Sequence, residues 1–359
     1  MDGVVPSGAV QRIVVSLLVL LCACPATRAP TVATDVPACV ADAARAVKTQ
    51  GSFDPAGAVA ELLETHDVVA VGEFHRLVEE IRFFADVVGH ATGAFDVGME
   101  LLPATRQADL DDLVTSADFE EWRWWRILGD RHQLVPMDAA EYVAVPRAVW
   151  EANRTRDVPI RLVGLLPDCR LESRPSVEAT LDCFRDRDAT MAEIAEREVL
   201  GRGRKLLVSA GTFHVGRTGE GTFTEQLAAR SVATVLLAGP VEGDGEGWDA
   251  ACGGLFRSLH AALGRAFWVP TAPLDLDGCS ARGFDSVVEL GPATIGPTAP
   301  DGVAFSALGA APLASWDRFR TELLNEPARG DAETWRLETA RELMRFTDRA
   351  EPTPKACPD

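Results

Sequence analysis

At 359 residues, 47% of them hydrophobic, the chain has material for one large domain or two medium ones, with a substantial core. A formal charge of −19 argues against nucleic acid as a partner, because such a surface repels a phosphate backbone. It says nothing about fold.

The N-terminus reads as an export signal. Arg12 precedes an apolar run over residues 13–21, too short to span a bilayer. Leu21-Cys22-Ala23-Cys24 then resembles a bacterial lipobox, which predicts a signal peptide over 1–24 and a membrane anchor through lipid on Cys24. Ordinary cleavage nearby is the alternative, and Pro30 after Ala29 is a poor neighbour for it. Residues 25–35, rich in Pro, Ala and Thr, read as a tether. Apart from Cys22 and Cys24, the cysteines are Cys39, Cys169, Cys183, Cys252, Cys279 and Cys357. An exported chain meets an oxidising compartment, so an even set reads as disulfides. Short loops favour Cys169–Cys183 and Cys252–Cys279, leaving Cys39 to tie the N-terminal segment to the tail. No Cys-x-x-Cys occurs, which argues against a zinc knuckle.

Helical composition over 41–47 and 56–66 leads to an apolar strand over 68–72. Gly72 allows a sharp turn there, delivering Glu73 and His75 into one crevice. Residues 77–88 are apolar at three- and four-residue steps, a helix packed back on the sheet, with His90 a partner for its C-terminal carbonyls. A strand over 95–99 runs into Glu100. Helices over 110–114, 119–128 and 139–150 then form an insertion placed as a lid. Trp122, Trp124 and Trp125 cannot all face one side of a helix, so at least one is exposed or over the site. The insertion also holds Tyr142, the only tyrosine of the chain. A strand over 160–165 runs towards Asp168. A helix over 185–200 carries Arg187 and Asp188 near its start. A strand over 205–211 delivers His214, and a helix over 224–230 and a strand over 232–237 continue the alternation. Beyond a Gly/Asp/Glu-rich break come a helix over 254–263 with a structural His260, strands over 267–269 and 286–290, and helices over 313–324 and 332–349. The sequence therefore predicts an α/β fold: a central, mainly parallel sheet flanked by helices, its main domain over 36–240 and an extension over 241–359 packed on it.

In an open α/β sheet, ligands bind beyond the carboxyl ends of the strands. Glu73, His75, Glu100 and His214 all lie there, with Arg187 and Asp188 in support. Each histidine follows a glycine by three residues (Gly72 to His75, Gly211 to His214), so loops one or two strands apart, at about 4.8 Å per strand, can converge on one bound species. As metal ligands, Glu73, His75, Glu100 and His214 suit zinc, iron or manganese. As catalytic groups the six suit metal-free hydrolysis, a histidine base oriented by a glutamate with Arg187 steadying an oxyanion. A buried network without chemistry is the third possibility.

Taken together, Val71-Gly72-Glu73-x-His75, Met99-Glu100, Arg187-Asp188-x-x-Met191-Ala192 and Ala210-Gly211-x-x-His214-Val215 resemble the ChaN-like proteins over residues 66–240. These are bacterial haem-binding lipoproteins, grouped with the Tiki-type metalloproteases and the erythromycin esterases. The short Glu73-to-His75 spacing is the ChaN-like version, and Gln107, Trp122 and the segment around Tyr142 are similar too. Arg76 replaces an acid common in that family, Leu101-Leu102 replaces Met-Phe, and the resemblance ends near residue 243. It implies haem or a divalent metal as cofactor, with tyrosine ligation of haem falling on Tyr142. Its hydrolase relatives imply ester or peptide cleavage, and a structural envelope protein with a relic site is the remaining reading.

Overall fold

The computed structural model describes residues 36–294 apart from 76, 130–138, 170–178, 180–181, 184, 218, 220, 239–249, 275, 277–279 and 293. The signal peptide, the tether, the lipidation at Cys24, Cys279, Cys357 and the helices expected over 313–349 lie outside the described residues, and the side chains of Cys39 and Cys252 are not described.

The chain begins with helices α1 (Val36–Gln50) and α2 (Pro55–Thr65), then β1 (Val68–Glu73) and α3 (Val78–His90). After β2 (Phe95–Pro103) come α4 (Gln107–Thr115), α5 (Glu121–Gly129) and α6 (Ala144–Asn153). The alternation resumes with β3 (Leu162–Leu166), α7 (Arg187–Glu198), β4 (Lys205–Gly211) and β5 (Val232–Leu237), and ends with α8 (Ala250–Leu263), β6 (Phe267–Pro270) and β7 (Ser286–Glu289). The seven strands form one sheet in the order β3-β2-β4-β1-β5-β7-β6, parallel throughout except where β6 meets β7. β1 is buried at every residue, as a strand covered on both faces must be, and this is why it reads as an apolar run up to Glu73.

Side-chain alternation divides the interior in two. Val69 and Val71 of β1 face a core with Phe84, Met99, Leu110, Trp124 and Tyr142, while Val68 and Ala70 face one with Met191, Ile194, Val208 and Phe267. The α4–α6 insertion is a layer of the first core, where Leu110, Leu113, Trp124, Val145 and Val149 are buried. Burying such side chains contributes about 1.5–3 kcal/mol each. Of the clustered tryptophans, Trp124 and Trp125 are buried and Trp122 is 54% exposed. His90 Nδ1 donates to the Asp86 carbonyl (2.9 Å), the expected role at the end of α3. Gln107 ties the edge strand β3 in place, donating to the Leu162 carbonyl (2.9 Å) and accepting the Gly164 N–H (3.2 Å).

Cys169 and Cys183, separated by 14 positions in sequence, form a disulfide with their Cα atoms 5.5 Å apart. A loop of that size stabilises by about 3 kcal/mol in the chain-entropy account.

Candidate functional site

β1, β4 and β2 lie next to one another with their carboxyl ends aligned. Glu73 pairs with Gly211 across β1 and β4, and Met99 pairs with Ser209 across β2 and β4. The two glutamates are strand residues, not turn residues: β1 runs through Glu73, and β2 continues past Glu100 to Pro103. Period-2 alternation therefore aims them at opposite faces. Glu73 follows Val69 and Val71 towards the first core, whereas Glu100 is out of phase with Val97 and Met99 and turns to the second.

On the first face, Glu73 collects three donors. Tyr142 donates its hydroxyl to Oε1 (3.0 Å), Ser209 donates to Oε2 (3.0 Å), and His75 Nδ1 donates to Oε1 (2.9 Å). A carboxylate only accepts, so this last bond keeps a proton on Nδ1, and when the ring is neutral its lone pair is on Nε2. His75 then bends over the sheet edge, bringing Nε2 to 4.0 Å from Glu100 Oε2.

On the second face, Glu100 is the hub. Gly211 donates its N–H to Oε2 (2.7 Å), while Oε1 lies 3.3 Å from His214 Nε2 and 3.4 Å from Arg187 Nη2. His214 Nδ1 is held by Asp188 Oδ1 at 2.6 Å. Arg187 also touches His214 Nε2, since both donors converge on one oxygen. The residues that the sequence placed at the strand ends thus meet around a single carboxylate.

Electrostatics follow from that geometry. Burial alone would raise the Glu100 pKa, but the facing His214 N–H and the charges of His214, His75 and Arg187 hold it well below the carboxylate range. Burial likewise opposes charge on His214, yet Asp188 and Glu100 outweigh it and raise its pKa to about 9. His75 is raised too, since Glu73 and Glu100 together overcome its burial. At neutral pH, Glu100 is an anion and His214 an imidazolium.

Two residues of this arrangement were not singled out from the sequence. Ser209 is the one polar residue inside the run Leu206-Leu207-Val208-Ser209-Ala210, and that break in the pattern is its only signal. Glu80 is buried on the apolar face of α3, in register with Phe83, Phe84 and Val87, and accepts the Phe74 N–H at 2.6 Å. Burial pushes its carboxyl well above the usual range despite that bond, with the Glu73 charge adding to the effect. Its backbone bond fixes the turn between Glu73 and His75. Asp168, by contrast, lies beside the disulfide, its carbonyl oxygen 3.7 Å from Cys183 Sγ.

A divalent metal shared by the two histidines does not fit these residues. The Arg187 guanidinium sits against His214 Nε2, so a fixed positive charge occupies the position an ion would need. Among the described residues no group of three or more His, Cys, Asp or Glu side chains is arranged as ligands to one ion.

The glycine of β4 also shapes the site. A Cβ on Gly211 would stand 2.9 Å from His75 Nε2 and 3.5 Å from Glu100 Oε2. The ring is the movable end of a side chain, so Gly211→Ala is expected to keep the fold and displace His75. Thermal melting together with the NMR titration of the His75 imidazole checks it: an unchanged melting temperature with an unchanged ring titration would refute the placement.

No protein-family profile matches the chain, and no curated protein matches it. Solved structures with a similar fold include ChaN of Campylobacter jejuni, described with cofacial heme binding. It is 17% identical, the match covering 50% of this chain and 84% of that one at a TM-score of 0.36. A mutant of the erythromycin esterase EreC in its open conformation is 13% identical over 66% of this chain and 93% of that one, with a TM-score of 0.46. A Bacillus cereus protein is 8% identical over 73% and 99%, with a TM-score of 0.48. At such identities and scores these likenesses add no argument about chemistry, which rests on the site itself.

Proposed function

We propose that the chain is a hydrolase of ester or amide bonds that works by metal-independent acid–base catalysis. One observation carries this reading. Two imidazoles, each held at Nδ1 by its own carboxylate (Glu73 and Asp188), present Nε2 to one buried, ionised glutamate. The pairing gives the histidines different tasks. His75, its Nδ1–H fixed by Glu73, takes a proton from water at Nε2 as the water attacks the carbonyl carbon. His214, an imidazolium at neutral pH, gives a proton to the leaving group. Its Nε2 lies 3.3 Å from Glu100, longer than the 2.7–2.9 Å of a tight charge-assisted bond, so that proton is available. Arg187 stabilises the oxyanion, and Tyr142 and Ser209 keep Glu73 in place.

A second reading, haem binding, is supported by the resemblance and by surface features near His214. Phe213, next to it in sequence, is 70% exposed, and His75 is only partly buried, so both rings offer surface to a ligand. Tyr142 does not fit as an axial ligand, since its side chain is fully buried and its hydroxyl is bonded to Glu73.

The test is hydrolysis of ethyl butyrate, whose alkoxide leaving group needs a proton, followed by ethanol release from chelator-treated protein across pH. The expected kcat/KM profile is bell-shaped, rising as His75 loses its proton and falling as His214 loses its own near about 9. Activity that vanishes with chelator and returns with zinc would sink the metal-free mechanism. A Soret band on adding haem, lost in His75→Ala, with no hydrolysis at any pH, would establish the second reading instead.

A further inference from the structure

Arg187 and Asp188, the groups that meet Glu100 and His214, stand at the very start of α7. This first turn is weakly held by the core. Arg187, Asp188, Ala189 and Thr190 are all partly exposed, and the buried residues of the helix begin at Met191. From there Met191, Ala192, Ile194 and Ala195 fix the helix body in the second core. Helix ends have unpartnered backbone groups and open at low free energy unless something holds them.

Directly behind that turn lies the Cys169–Cys183 bridge. Cys183 is one helical turn before Arg187. The Asp186 N–H bonds to the Asp182 carbonyl (2.8 Å), and the Thr190 N–H and hydroxyl both bond to the Asp186 carbonyl (3.0 Å each). The turn holding Cys183 therefore stacks onto the turn holding Arg187 and Asp188. At the other end, Cys169 is 5% exposed, with its N–H on the Pro167 carbonyl (3.0 Å), just past β3. β3 pairs with β2, the strand that carries Glu100. The bridge thus ties the start of α7 to the strand beside the hub of the site.

We propose that the Cys169–Cys183 disulfide is a positioning element of the site: it holds the first turn of α7 where Arg187 and Asp188 meet Glu100 and His214, and its reduction by a dithiol releases them. The effect on turnover rests on the hydrolase reading; the effect on the helix does not. In the reduction, a thiolate of the dithiol attacks Cys183, the less buried sulfur, and Cys169 leaves as a thiolate that takes up a proton. The second thiol then closes the reductant to its own disulfide and frees Cys183 as a thiol. Two electrons and two protons pass from the dithiol to the protein. A bridge that merely staples the fold predicts something different, loosening of the whole helix or of nothing.

Amide hydrogen exchange on the full chain distinguishes these. The samples are the oxidised protein, the protein treated with dithiothreitol, and a Cys169→Ala/Cys183→Ala variant. Exchange at Asp186 and Thr190 is expected to quicken by about tenfold or more in the second and third samples, with Ile194 and Ala195 unchanged. On ethyl butyrate kcat is expected to fall by about tenfold with KM little altered, the mark of a group that acts in the transition state. Dithiothreitol added to the double variant should change nothing further, which separates this bridge from the other cysteines. First-turn exchange that is the same in all three samples overturns the inference. So does unfolding, or loss of protection along all of α7, because the bridge would then hold the fold rather than the site. The expected exchange pattern in a protein that hydrolyses nothing supports the positioning role and overturns the hydrolase reading.

Discussion

Replacing His214 with alanine is expected to lower kcat on ethyl butyrate, an ester whose leaving group needs a proton, by about 10³-fold, the range for removing a proton donor that also stabilises charge. The fold should tolerate the change. Arg187 remains 3.4 Å from Glu100 Oε1, so the buried anion keeps a cation, and Asp188 is exposed enough to be rehydrated. Asp188→Asn retains the shape but removes the charge that helps raise the His214 pKa to about 9. Its loss should be smaller, with the alkaline limb of the pH profile moving to lower pH. Circular dichroism and steady-state kinetics on both variants check this. A His214→Ala protein within threefold of wild type would leave His75 acting alone and the two-histidine mechanism wrong.

What the sequence reveals of this protein depends on whether a residue's partner is local. The strands Lys205–Gly211 and Val232–Leu237 have the bounds their apolar runs predict, since burial on both faces writes itself into consecutive residues. β2 reads four residues too short because Glu100 interrupts the run. The strand continues because that carboxylate is neutralised by His214 and Arg187, groups far away in sequence. The helix expected over 224–230 closes to the single turn Phe223–Gln226, where Glu225 and Thr222 form a capping box. Both histidines, both glutamates, Arg187 and Asp188 were legible from their place after strands, or near a helix start, together with the resemblance. Ser209 was not, because its partner Glu73 is 136 residues distant. Tyr142 stands out in the sequence for its rarity, and the resemblance implies a haem ligand there, yet its hydroxyl is found on Glu73, 69 residues away. Nothing in either sequence neighbourhood specifies those bonds.

Glu100→Ala is expected to be the most destabilising single change at the site, by about 3 kcal/mol, because removing one partner of a buried ion pair strands the other. Arg187 and His214 would converge on an empty position, and the Gly211 N–H would lose its acceptor. The size of the effect should depend on pH in a definite sense. Glu100 titrates in the fold below its ordinary 4.5, so the stability it provides is present above about 4.5 and is lost as pH falls through its lowered value. His214 is raised from 6.5 to about 9, so its contribution is complete below 6.5 and is lost as pH rises through about 9. Both act in full only between 4.5 and 6.5, and the gap between wild type and variant should be widest there. It should narrow on the alkaline side without closing, since Arg187, 3.4 Å from Oε1, still needs the anion. Urea unfolding of both proteins across the pH range measures the gap directly. A difference that stays flat through about pH 9 would mean that His214 is not held as an imidazolium by Glu100. The assignment of His214 as proton donor would fall with it.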